Sequence, residues 1–238
     1  MAGTDTGQGQ RLNRLESRWL DAALHLLDRQ VVDSEGKLVC NVDDLEITDG
    51  GGRELAVSGL LVGPAALVPR FSGRMGGWLR EMWVALGVQY AGRELPLRLG
   101  LDLVEHVGSD VRLRVPRDGL LDRQPPAAPN VVLRRMDDLL GMDVVLDGQV
   151  LGHVLDVRLE PHRRESRLTV RSLVVGRGRP GSLLGYDRGD FNGPWLVAAA
   201  VQQLHRHTGL LELGHVQTID WERNRVEATQ RPGPLETR

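Results

Sequence analysis

Leu55-Ala56-Val57-Ser58-Gly59-Leu60-Leu61-Val62-Gly63 and Leu168-Thr169-Val170-Arg171-Ser172-Leu173-Val174-Val175-Gly176 lie 113 residues apart, are mostly apolar, and end on the same glycine. Gln30-Val31-Val32-Asp33 and Asp143-Val144-Val145-Leu146 stand at that same offset. Between these blocks Gly36 aligns with Gly148 and Val42 with Val154 at an offset of 112, so the second copy is one residue shorter in its first turn. Two copies of one supersecondary unit predict two like domains. The question of function becomes what a doubled small module is for.

Working outward, short apolar runs bounded by turn residues predict strands at 31–32, 38–47 and 55–62, and again at 144–145, 150–159 and 168–175. Asp33-Ser34-Glu35-Gly36 and Asp147-Gly148 are the hairpin turns, because glycine accepts the positive φ that a tight turn requires. Closing hairpins are expected over 101–107 with 111–115, and over 216–221 with 226–228. Leu12, Leu15, Trp19, Ala22, Ala23 and Leu26 recur at helical spacing and predict an amphipathic helix leading into the first copy. Trp78, Leu79, Met82, Trp83 and Leu86 predict a second helix, and 195–207 its counterpart, with Trp78 and Trp195 in corresponding places.

The pattern gives a mainly β fold with helical additions: two small, strongly bent antiparallel sheets or barrels, each with an added helix. The expected layout is a mobile tail over 1–11, a first domain over 12–121, a linker over 122–130, a second domain over 131–228, and a mobile tail over 229–238. Pro125, Pro126 and Pro129 remove amide donors and stiffen that linker.

Composition narrows the function classes. With 41% hydrophobic and 26% charged residues, the 238-residue chain reads as ordinary soluble globular protein. Residues 1–121 carry 14 basic and 17 acidic side chains and 122–238 carry 16 and 15, so neither half has the positive excess of a dedicated nucleic-acid binder. All basic residues but Lys37 are arginine, which reads as compositional bias of the source. Cys40 stands alone within a strand-like run, more a small hydrophobe than a nucleophile. No run of about 18 apolar residues is present, and cytoplasmic localisation is expected.

Leu139-Leu140-Gly141-Met142-Asp143-Val144-Val145-Leu146-Asp147-Gly148-Gln149-Val150-Leu151-Gly152-His153-Val154-Leu155-Asp156-Val157 resembles the opening of a PRC-barrel domain: a strand, a glycine turn, Gly-x-Val and an Asp-Val pair. The first copy keeps Gly36, Val42 and the Asp44-Leu45 pair, but has Cys40-Asn41 where the second has Gly152-His153. This module is shared by the photosynthetic reaction-centre H subunit and the C-terminal domain of the ribosome maturation factor. The resemblance covers turn and core residues. It implies a non-enzymatic interaction or adaptor protein with a protein partner, membrane-associated complexes included. An RNA- or ribosome-associated assembly factor is the alternative, and a small-molecule sensor in the cleft between the halves a second one. No DNA partner, cofactor or transmembrane segment is expected.

Candidate chemistry is sparse. Gly176-Arg177-Gly178-Arg179-Pro180-Gly181 satisfies G-x-G-x-x-G after a strand, but no helix opens directly from it and no parallel βαβ pattern surrounds it, so a surface loop is the better reading. His153, His205, His207 and His215 lack the spacing and partners of a zinc site. Asp43, Asp44 and Glu46, with Asp137 and Asp138, read as solvated edges or turn caps. His162-Arg163-Arg164-Glu165-Ser166-Arg167 is a basic hairpin tip without an aromatic platform. The segment 184–195 sets Tyr186, Arg188, Phe191 and Trp195 in a glycine-rich loop, residue types that anchor interfaces. With Arg177 and Arg179 these are the candidate partner-binding residues; no catalytic or metal-binding residue is assigned.

Overall fold

The computed structural model describes residues 13–50, 54–63, 66, 96–118, 120, 122–123, 132–162, 167–177 and 208–235. The first copy comprises β1 (Leu20–Asp21), α1 (Ala22–His25), β2 (Gln30–Val32), β3 (Leu38–Asn41), β4 (Asp44–Asp49), β5 (Leu55–Val62), β6 (Leu97–Gly100), β7 (Val104–Val107), β8 (Val111–Leu113) and β9 (Asp122–Arg123). The second comprises β10 (Val132–Arg135), α2 (Met136–Leu139), β11 (Asp143–Leu146), β12 (Gln149–His162), β13 (Arg167–Gly176), β14 (Gly209–Glu212), β15 (Val216–Asp220), β16 (Arg225–Ala228) and β17 (Gly233–Pro234). The fold is mainly β, as the pattern predicts.

The repeat extends to topology. β2 pairs antiparallel with β3 and parallel with β8; β11 pairs antiparallel with β12 and parallel with β16. β5 carries β6 as β13 carries β14, and each added strand runs into a 3-10 turn, Leu101–Leu103 or Leu213–His215. Alternation predicts only antiparallel pairs. The two parallel ones arise because the closing hairpin returns from across the sheet and lays its second strand beside the first strand of its own copy.

The halves meet through their equivalent strands. β5 and β13 pair antiparallel, with Leu168 opposite Val57 and Thr169 opposite Ala56. Ala56 and Thr169 are counterparts in the repeat, so a pseudo-twofold axis passes between them. The leading arms then cross over. β1 of the first copy adds to β12 of the second, Leu20 opposite Leu159 and Asp21 opposite Arg158. β10 adds to β4, Arg134 opposite Ile47 and Arg135 opposite Glu46. A single apolar core runs through both halves and takes in Leu20, Leu45, Leu60, Met136, Val154, Leu173 and Val226.

One local difference splits the symmetry. The Val42 N–H and C=O turn aside to the Arg29 carbonyl and the Asp28 amide, and those of the equivalent Val154 turn in the same way to the Met142 carbonyl and the Gly141 amide. Only in the first copy is the expected strand over 38–47 divided into two strands, with β3-β2-β8-β7 forming its own four-stranded sheet. In the second copy β12 is an uninterrupted 14 residues, and the corresponding strands stay in the 13-stranded sheet. A Cβ at Gly152 would meet the Gly176 carbonyl oxygen at 2.7 Å, which explains glycine here; the equivalent Cys40 lies opposite Val31 as Gly152 lies opposite Val144. The predicted turns hold, with Gly36 at φ +79°, Gly148 at +80° and Asp147 at +50°.

The expected helix across Leu12 to Leu26 is corrected. The segment is a 3-10 turn (Arg14–Glu16), an extended stretch, β1 and the four-residue α1. Ladder pairing buries Leu20 completely while Ala22, Ala23 and Leu26 still reach the core, so tertiary pairing overrides the helical spacing. Residues 229–235, expected within a mobile tail, return to pair Gly233 and Pro234 with β14. The helices predicted from Trp78 and from Trp195, most of the linker, and the first residues of the chain lie outside the described residues.

A single core spanning both halves should unfold in one cooperative urea transition, not two. Leu20→Ala, which empties a fully buried position between the halves, should cost about 2–5 kcal/mol and move the whole transition. Two separable transitions, with only one shifted, would contradict the shared core.

Candidate functional site

The arms end in two short helices whose first amides are held by the opposite copy. Asp156 Oδ1 accepts from Ala23 N at 2.7 Å and Val157 N at 2.6 Å, and Oδ2 accepts from Leu24 N at 3.2 Å. Its counterpart Asp44 accepts through Oδ1 from Leu45 N at 2.7 Å and Asp137 N at 3.2 Å, while Asp44 Oδ2 is buried without a hydrogen-bond partner. These are the acids of the Asp-Leu and Asp-Val pairs. Asp44 is therefore no solvated edge: it is fully buried and caps the helix of the other copy. Burial pushes Asp156 up to about 7, with the Asp21 charge adding to the rise. Burial likewise pushes Asp44 up to about 7, and the neighbouring Asp137 charge acts in the same direction.

One charged cluster braces a crossed arm, and a second lies at the equivalent position of the first copy. Arg158 Nε donates to Asp21 Oδ1 at 2.7 Å, and the guanidinium lies 5.1 Å from the centroid of the Trp19 ring. At the equivalent position of the first copy the charge is reversed. Glu46 Oε1 accepts from Arg98 Nε at 2.9 Å and from Ser58 Oγ, while Arg98 Nη2 donates to the Ser58 carbonyl. His25 exchanges contacts with Asp21, and burial, reinforced by Arg14, pushes it down to about 4. Burial and the Asp43 charge raise the Cys40 thiol to about 11, which keeps it protonated and unreactive at neutral pH.

At the seam between the copies lies a cavity of about 290 Å³. Leu26, Leu60, Val104, Val107, Val111 and Leu168 make its apolar interior, and the mouth carries Glu16, Glu105, Arg114, His162 and Arg167. Asn13 pins the first-copy wall, accepting from Val107 N at 3.2 Å and donating to the Glu105 carbonyl at 3.3 Å. The sequence predicts a cleft between the halves but does not single out these residues. The signal was present only as apolar positions of β5, β7, β8 and β13, indistinguishable there from core.

Of the predicted partner-binding residues, Arg177 is exposed at the end of β13. Arg179, Tyr186, Arg188, Phe191 and Trp195 lie outside the described residues, as do His205 and His207. His153 pairs with Asp143 at 2.9 Å, and His215 Nδ1 lies 2.7 Å from Gln230 Nε2. Among the described residues no group of three His, Cys, Asp or Glu side chains is placed to hold a metal ion. No helix among them is long and apolar enough to cross a membrane. No family model matches the chain, and no curated protein matches its sequence.

The two caps set a pH dependence. A carboxyl whose folded pKa stands near 7, against an ordinary value of 3.8, binds more protons folded than unfolded, so stability should fall as pH rises from about 4 to 7. His25, held down, acts oppositely between its ordinary 6.5 and about 4, but two acids outweigh one base. Urea unfolding at pH 5.5 and 7.5 should show the lower pH more stable. Asp156→Asn should remove most of that difference, because the Asp44 share that remains is largely offset by His25. An unchanged difference in the variant would refute the assignment.

Proposed function

We propose that this chain is a non-enzymatic cytoplasmic interaction or adaptor protein in which two PRC-barrel-like modules are fused about a pseudo-twofold axis. The observation that carries this reading is the use made of buried charge. Among the described residues, the buried charged side chains are Asp33, Asp44, Glu46, Asp156 and Arg158. Asp33 closes the first hairpin by accepting from Lys37 N, Glu35 N and Arg117 N. Asp44 and Asp156 cap the crossed arms, and Glu46 and Arg158 brace the strands beneath them. None of the five lines the seam cavity.

A catalytic centre keeps titratable groups converging on a substrate; here Asp33, Asp44 and Asp156 hold backbone amides, and Glu46 and Arg158 hold side chains of neighbouring strands. Such a body is a rigid platform, and its binding capacity is assigned to the sequence segments inserted into it. Those entering the platform between β5 and β6 and between β13 and β14 occupy corresponding places in the repeat, and the second contains the aromatic, arginine-bearing stretch. The partner class is a protein, membrane-associated complexes included.

Affinity purification of the intact chain from its native cell, with mass spectrometry and RNA analysis, tests this. A specific protein retained by the intact chain and lost by at least tenfold with Tyr186→Ala or Trp195→Ala is the expected result. Ribosomal proteins with rRNA in its place would favour the ribosome-associated reading, and partners unchanged in both variants would remove the aromatic segment from the interface.

A further inference from the structure

The seam cavity is lined by side chains of both charge signs. Its interior is deeply buried: Leu60 and Val111 are fully inaccessible, and Leu26, Val107 and Leu168 nearly so. Its mouth is polar and divided. Glu16, on the 3-10 turn, and Glu105, on β7, come from the first copy, whereas His162 and Arg167 come from the end of β12 and the start of β13 in the second. Arg114 also stands at the mouth, steadied by donation to the Val104 carbonyl at 3.0 Å.

An apolar pocket with one sign of charge at its mouth selects an amphiphile of the other sign. Here both signs are present. A fatty carboxylate would meet two glutamates and an apolar amine would meet two arginines, while a neutral hydrophobe would leave the mouth unused. The complementary molecule carries an ammonium and a carboxylate together on one end and an apolar group on the other. At about 290 Å³ the cavity stands at the small end of ligand sites, which suits one amino-acid side chain better than a long acyl chain.

We propose that the cavity is a binding site for a free hydrophobic α-amino acid of about the size of leucine. The side chain packs among Leu60, Val107 and Leu168, the ammonium faces Glu16 and Glu105, and the carboxylate faces Arg167 and Arg114. Both copies of the repeat contribute, so occupancy links the first-copy wall to the β12–β13 hairpin. This site is separate from the surface on which the adaptor reading rests, and either can hold without the other.

Isothermal titration of the full chain with L-leucine, N-acetyl-L-leucine, L-leucinamide and hexanoate tests it. For nine heavy atoms the expected affinity for L-leucine is on the order of 0.1 mM. Each blocked analogue should bind about tenfold more weakly, the loss expected for one charged hydrogen-bonding group. Glu105→Gln and Arg167→Gln replace exposed side chains and leave the interior intact. Arg167→Gln should weaken leucine while leaving leucinamide unchanged, and Glu105→Gln should weaken leucine while leaving N-acetyl-leucine unchanged. Absence of leucine binding at several millimolar, equal binding of hexanoate, or rim variants without effect would overturn the proposal.

Discussion

The pairing of β5 with β13 is the constraint on which the molecule depends. A strand with an unpaired edge must be covered or it pairs with something else, and here each copy covers the edge of the other at the same position. Because the paired strands are themselves counterparts, with Ala56 opposite Thr169, one register satisfies both copies at once. The crossing of the arms follows from this geometry. Once the strands are antiparallel about the axis, the arm preceding each copy lies against the β4-type strand of the other. The trans caps at Asp44 and Asp156 fix it there.

Symmetry of backbone coexists with asymmetry of charge. The two copies keep the same acid in the cap, yet at the next bracing position one uses Glu46 held by Arg98 and Ser58, and the other Arg158 held by Asp21. Either solution neutralises a buried charge with a partner and hydrogen bonds, which is what burial of charge demands. The interchange of sign makes the halves non-equivalent as docking partners: an arm bearing Asp21 suits Arg158 and would place a carboxylate beside Glu46. The charge pattern thus specifies which arm goes where, a form of discrimination that apolar packing alone does not supply.

Much of this was legible in the sequence. The 113-residue offset, the turns at Gly36 and Gly148, and the strand at 55–62 are read directly from apolar alternation and turn chemistry. What was not legible depends on contacts distant in the chain. Leu20 looks helical by spacing and is a strand residue because Leu159 lies opposite it. Asp44 looks like a solvated edge or turn cap and Asp156 only like half of an Asp-Val pair, since their partners, the amides of Asp137, Ala23 and Leu24, lie more than 90 residues away. Their shared place in both copies was the available clue: an acid kept between two strand segments of a repeat has a structural duty even when no neighbour explains it. The cavity is hidden for a similar reason, because a residue lining a void and one filling a core carry the same apolar side chain.

The crossed arms also bear on synthesis. The ribosome releases the first copy without the cover over β4, because that cover, β10 with α2, lies in residues translated afterwards, as do the partners of β1 and of β5. Until then Ile47 and Asp44 lack their covering arm, and the edge of β5 waits for β13. The nascent chain therefore carries an open apolar seam until β13 has been made. Closure depends on contacts of long sequence separation, which form slowly. A protein built this way is most vulnerable to association with other chains midway through translation, and a second copy of the module tethered on the same polypeptide shortens that interval by raising its effective concentration.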